Sequence, residues 1–276
     1  AGDSGNDISL QMNRLGRNDG EATPAGLVVA LTAMASGAGS PDVGEVLASL
    51  GDEPFEFICS PWTDATTLNA WKEFMDDSTG RWSWAKQLYG HVYAAKRGTL
   101  GQLVAFGVTR NDQHVTTYGF EVGCPGPFWR EAAAYAARTA VFISADPARP
   151  TQSGELNGSM PAPAGSRFTL PERQSLLTHG VATASYSGGA MRIERGVTSY
   201  RVNAFDQPDD SYLDSETLHQ SAYVIKYLKG LITSKYGRHK LANDGTRFGA
   251  GQAIVTPVVI RGELIGAYYA LERLGI

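Results

Sequence analysis

The sequence predicts an α/β fold, a doubly wound and mostly parallel sheet with an added N-terminal β unit and a C-terminal lobe of one β-hairpin and two long helices. Three observations carry this. From residue 41 to 150, short apolar-rich runs alternate with longer stretches of helical periodicity, the pattern of parallel strands joined by helical crossovers. The triplet Ser187-Gly188-Gly189 separates two alternating segments, as a tight hairpin requires. Leu218, Ala222, Ile225, Leu228 and Ile232 then recur at helical spacing, marking the core-facing stripe of a long helix.

In chain order, residues 7–13 and 26–34 flank a polar loop at 14–25 and read as a two-stranded β unit occupying residues 1–40. An isolated strand pair is marginal in water, so this unit is expected to be part of the core or packed on it. The α/β core follows at 41–150, with helices at 41–51, 63–77, 99–111 and 127–144 and strands at 54–60, 89–96 and 114–120. The proline-bearing stretch 145–168 reads as an extended excursion over the surface. Residues 151–276 complete the domain. Within them Thr169 and Glu172 form a capping-box pattern opening a helix that closes at Gly180, and the hairpin spans 181–200. The long helix covers 211–236; the last runs from 257 to 274, with Thr256 as N-cap, Pro257 at N1 and Gly275 placed for a left-handed C-terminus.

Composition narrows the function classes. Net charge is -4, which gives no electrostatic footprint for nucleic acid or an anionic membrane. Charged residues make up 19% of the chain, fewer than the roughly 25% usual in soluble domains, so surface is expected to be reserved for contacts other than water. Cys59 and Cys124 sit in an intracellular-looking α/β pattern and are expected to be free thiols. No apolar run reaches the length of a membrane span, and the first residues lack the basic and apolar regions of a secretory leader.

The candidate chemistry is thin. Asp3, Ser4, Ser159 and His179 sit in segments that look superficially like the signature segments of subtilisin-like proteases, but their order, Asp, Ser, His, is not that of subtilisin. His179 falls in the last turn of a helix, where the dipole alone explains it, and Ser159 lies in a Pro/Gly-rich loop. Neither glycine-rich phosphate motif occurs after a strand. The histidines are dispersed and the cysteines unpaired at ligand spacing, so no metal site is expected. Asp209, Asp210 and Asp214 gather at the start of the long helix while Lys235, Arg238, His239 and Lys240 gather at its end, the arrangement that complements a helix dipole. On a repeating lattice the same charges would face neighbouring copies. Trp62, Trp71, Trp82 and Trp84 crowd around one helix; core packing accounts for one or two, and Trp82 and Trp84, in a polar turn, read as a contact surface. The final helix is apolar on more than one face, with Gly262 and Gly266 leaving room for another backbone.

The segments "RIERGVTSYRVNAFDQPDDSYLDSETL" and "KYGRHKLANDGTRFGAGQAIVTPVVIRGEL" resemble the tail sheath proteins of contractile, Mu-like bacteriophages. Further motifs, "GDEPFEFICSPWTDATTLNAW", "GHVYAAKRGTL" and "DPARPTQ", extend the resemblance over nearly the whole chain. It implies a central domain that is subtilisin-like in fold without protease activity, hence no catalytic residue and no cofactor. It also implies a subunit that stacks as hexameric rings around a tail tube and contracts to drive the tube through the host envelope. Its partners would be other copies of itself, the tail tube protein and the baseplate, in the virion tail after assembly in the host cytoplasm. Sheath proteins carry further sequence on both sides, so a chain of these bounds is expected to be monomeric by itself. A related contractile injection machine is the alternative within this class, and a serine hydrolase the alternative outside it.

Within the second segment, Asp244 and Gly245 give a turn, Gly249 and Gly251 permit close backbone approach, and Arg247 can clamp a carboxylate or carbonyls. This connector is expected to lock the last two helices against the α/β core.

Overall fold

The computed structural model describes residues 22–30 and 41–276. Most of the expected N-terminal β unit lies outside them; residues 22–30 carry a turn, closed by the Leu27 amide on the Pro24 carbonyl at 3.1 Å, and no strand.

Strands β1 (Phe57–Cys59), β2 (His91–Arg97) and β3 (Val115–Phe120) form a parallel sheet in the order β1-β2-β3. Phe57 lies opposite His91, and Val92 opposite Val115. The connections are helices α2 (Ala65–Met75) and α3 (Leu100–Val108). Each starts where its sequence supplies a cap: Asp64 accepts the Thr67 amide at 2.9 Å, and Thr99 and Gln102 close a capping box.

Strand alternation sends successive side chains to opposite faces. Val92 and Val115 pack with Leu68, Trp71 and Met75 of α2 and with Leu47 of the short helix α1 (Gly44–Ser49). Tyr93, Ala95, Tyr118 and Phe120 meet Ala132, Tyr135 and Ala136 of α4 (Phe128–Ala145). Both faces are therefore covered by helices, the condition under which a parallel sheet persists.

Helix α5 (Leu170–Thr178) opens with the Thr169/Glu172 capping box and ends before Gly180, at φ +71°. A Cβ on Gly107 of α3 would stand 2.2 Å from the His179 carbonyl oxygen, so that glycine sets how closely the two helices pack. Ala182 then pairs in parallel with Tyr118, adding a fourth position to the sheet before the chain turns away as β4 (Thr183–Ser187). β4 pairs antiparallel with β5 (Ala190–Arg195) across Gly188 and Gly189, at φ +59° and +84°.

Residues 145–168 differ from expectation. Instead of crossing the surface freely, the stretch is tied to β5: Ser153 and Leu156 donate to the Ile193 and Met191 carbonyls, and Leu156 is buried in the α4 cluster. Pairing satisfies backbone groups that a free excursion would leave to water.

Helix α6 (Ser215–Tyr236) begins four residues later than its sequence pattern, because Asp209 folds the preceding residues into a turn by accepting the Ser211 amide and hydroxyl at 2.9 and 2.6 Å. Leu218, His219 and Ala222 are buried, whereas Ile225 is exposed, so only the first half of the stripe meets the core. Beyond it, β6 (Lys240–Leu241) and β7 (Ile254–Val255) form a short parallel pair, and α7 (Pro257–Leu274) ends at Gly275, φ +78°, with the Ile276 amide on the Leu271 carbonyl at 3.0 Å.

Candidate assembly surfaces

The acidic cluster at the start of α6 is largely used inside the chain. Asp214 holds Arg195 through two bonds of 2.7 and 2.9 Å, and Asp209 accepts the Tyr200 hydroxyl at 2.8 Å in addition to its Ser211 bonds. The Tyr200 phenol is pushed up to about 12 by loss of water and by that carboxylate. Asp210 remains exposed, with no ion pair among the described residues.

At the other end, Lys235 bonds Glu263 of α7 at 2.6 Å and Tyr236 donates to the same carboxylate at 3.0 Å, which pins α6 to α7 and holds the Glu263 carboxyl below its ordinary range. Arg238 and Lys240 are exposed and without an ion pair among the described residues. The cluster therefore divides into residues that build the fold and residues that face outward.

The two turn tryptophans divide in the same way. Trp82 is half-buried, its indole donating to the Gly90 carbonyl at 2.8 Å and packing edge-on to Tyr89. Trp84 is 83% exposed. Trp71 is buried and donates to Ser60 at 3.1 Å.

The connector also differs from expectation. Gly245 takes φ +83° in a turn, and Asp244 accepts the Val258 amide at 3.1 Å, capping α7 in place of the Thr256 side chain. Arg247 is exposed and makes no hydrogen bond or ion pair among the described residues, so no clamp forms there. Among the described residues, nothing lies within contact of a Cβ placed on Gly249 or Gly251, so no close backbone approach there requires a glycine.

The residues considered for nucleophilic chemistry do not pair. Ser159 donates to Glu131 at 2.5 Å, while His179 Nδ1 bonds the Ser175 carbonyl at 2.6 Å within its own helix. Burial raises the Glu131 carboxyl above its ordinary range. Asp3 and Ser4 lie outside the described residues. Among the described residues no group of His, Cys, Asp or Glu is arranged to hold a metal, and no helix is long and apolar enough to cross a membrane. Both cysteines are free, and burial pushes the Cys124 thiol up to about 11.

Sequence reasoning missed several strongly exposed apolar groups. Phe205, 83% exposed, tips a tight loop, and Leu241, 87% exposed, stands on β6. Helix α7 buries Ala267 and Leu271 yet leaves Val258, Ile265, Tyr268 and Leu274 open. The signal for Phe205 was present in "NAFDQPDD", an aromatic residue among turn formers.

Comparison with known proteins places these surfaces in context. Residues 36–199 match the family model "Phage tail sheath protein central domain". The chain is 40% identical over all 276 residues to the Mu-like prophage FluMu tail sheath protein of Haemophilus influenzae, and spans 55% of that protein's length. A crystal structure of a sheath tail protein from Desulfitobacterium hafniense shares the fold at a TM-score of 0.54 and 13% identity, covering 90% of this chain and 55% of that one. A family model matching more than half of the chain and a relative aligned with all 276 of its residues agree: this chain belongs to the phage tail sheath protein family.

Proposed function

We propose that the chain is the sheath-forming part of a contractile tail subunit, which stacks as hexameric rings around a tail tube and contracts to drive that tube through the host envelope. The observation that carries this reading is the identity to a tail sheath protein along the entire chain. The geometry is compatible with it. A core covered on both sheet faces supplies a rigid body, and Asp210, Arg238, Lys240, Trp84 and the open face of α7 supply outward groups of both signs and of apolar character. The turn at Asp244–Gly245 serves as the connector that sets α7 against β6 and β7.

In this reading the chain needs no catalytic residue and no cofactor, and its α/β core is a subtilisin-like scaffold without protease activity. Contraction draws on repacking of rigid subunits between two lattices. The partners are identical copies, the tail tube protein and the baseplate; the place is the virion tail, reached after assembly in the host cytoplasm. Immunogold labelling of purified particles with antibodies raised against residues 41–276 tests this. Gold along the tail exterior is the expected result, and gold confined to heads or absent from tails would overturn it.

A further inference from the structure

Two aromatic side chains stand out from the described surface on firmly held turns, Trp84 and Phe205, each 83% exposed. The Phe205 turn is built to hold its shape. Asn203 donates to the Gln207 carbonyl at 2.9 Å, and its side-chain oxygen accepts the Phe205 and Gln207 amides at 2.9 and 3.1 Å. Asp206 completes the turn at φ +56°. Beneath it, Asn111 bonds the backbone of Arg201 and Val202, and the Arg201 guanidinium bonds the Gly107, Val108 and Arg110 carbonyls at the end of α3. An aromatic group held this way loses little entropy when it docks.

The same chain carries a recess of matching character. Leu241, Val255, Pro257, Ile260 and Leu264 line an apolar groove of about 710 Å³ between the β6–β7 pair and the first turns of α7. Arg261 stands in its wall, exposed and without an ion pair among the described residues. The wall thus offers a cation beside an apolar floor.

Charge decides between the two aromatic candidates. Trp84 is followed by the exposed Lys86, which the Arg261 cation would repel, whereas Phe205 is followed by Asp206 and Asp210, both exposed. At 83% exposure, Phe205 does not fill the groove of its own chain. We infer that Phe205 of one copy docks in the β6–β7/α7 groove of a second copy, with Asp206 and Asp210 facing Arg261. A contact between two different patches of one chain is heterologous and propagates without closing on itself as a pair. This inference rests on the sheath reading and names one contact through which the copies would meet.

The test uses the full natural chain that contains these residues, assembled at low and moderate salt. Leu241→Cys in a Cys59→Ser background is labelled with a benzophenone maleimide, irradiated after assembly, and the joined peptides are identified by mass spectrometry. Phe205→Ala is assembled in parallel. The expected results are a crosslink from position 241 to the peptide around Phe205 of another chain, and a rise of about tenfold in the concentration that Phe205→Ala needs to assemble, the scale of a lost aromatic anchor. Because Phe205 is exposed, the melting temperature of Phe205→Ala should not move. Asp206→Arg should impair assembly and Arg261→Glu should restore it in the same chain. Normal particles whose crosslinks lead to another segment of the chain, together with normal assembly of Phe205→Ala, would overturn this contact and leave the sheath reading standing. Failure of the unsubstituted chain to assemble would overturn both.

Discussion

The Tyr93 hydroxyl and His219 Nε2 lie 2.7 Å apart, joining β2 to α6, with the two rings nearly parallel at 3°. Phe57 stacks on the imidazole at 4.6 Å, and His91 stands 5.6 Å away, itself bonded to Thr116 at 2.8 Å. The joint that seats α6 on the sheet is therefore made of neutral, buried rings.

This joint should be acid-labile. Burial, and secondarily the charge of Lys226, holds the His219 pKa down to about 3, and burial with the neighbouring His219 and His114 holds His91 low. The unfolded chain binds a proton on each histidine near its ordinary pKa of about 6.5, while the folded chain resists. Stability is thus fully present above that value and falls as pH drops from about 6.5 toward 3, by up to about 1.4 kcal/mol per unit for each histidine. Urea midpoints at pH 7.5, 5.5 and 4.5 should decline in that order. His219→Phe should flatten the decline; an unchanged slope in that variant would show that the joint does not carry it.

Arg81 should matter more than any exposed arginine. It is 1% exposed, donates to the Gly51 carbonyl at 2.8 Å and to that of Glu53, and lies over the Phe55 and Phe74 rings. Arg81→Ala removes both ties and leaves a void, with an expected loss of about 3 kcal/mol in chemical denaturation. Arg81→Lys should recover little of it, since an ammonium cannot reproduce the planar fork.

Helix α7 is capped from a distance, which separates two neighbouring substitutions. Asp244→Ala should cost about 1 kcal/mol through the lost bond to Val258. Arg247→Ala, at an exposed side chain without a partner among the described residues, should leave the melting temperature within error. A drop for Arg247→Ala equal to that for Asp244→Ala would reinstate the clamp expected from the sequence.

Ser159 should behave as a structural hydroxyl. Its Oγ donates to Glu131, and no histidine bonds it among the described residues. A fluorophosphonate probe should leave it unlabelled, and Ser159→Ala should cost about 1–2 kcal/mol by leaving a buried carboxyl short of a donor. Stoichiometric labelling at Ser159 would contradict this.

The elements that could be read from the sequence are those with a local cause. Asp64, Thr99 and Thr169 announce three helix starts, Gly188-Gly189 a hairpin, and Gly275 a helix end, and each acts within a few residues of itself. Long-range partners were not legible. Nothing near Asp214 signals that its carboxylate turns to Arg195 and away from the helix, nor does the local pattern place Trp82 against Gly90. The stripe on α6 overstates burial because periodicity records what a helix can hide, while the extent of the sheet decides what it does hide. The same limit applies to α7, apolar on more than one face in sequence and left open along Val258, Ile265 and Tyr268. The β6–β7 pair, two residues per strand, is too short to leave a period.

The most direct test of the central claim is sedimentation velocity with negative-stain imaging of the full natural chain that contains residues 1–276. The account predicts rings or tubes of constant diameter whose formation depends on salt and concentration. A chain that stays monomeric across that range, in the presence of its tail tube protein, would contradict it.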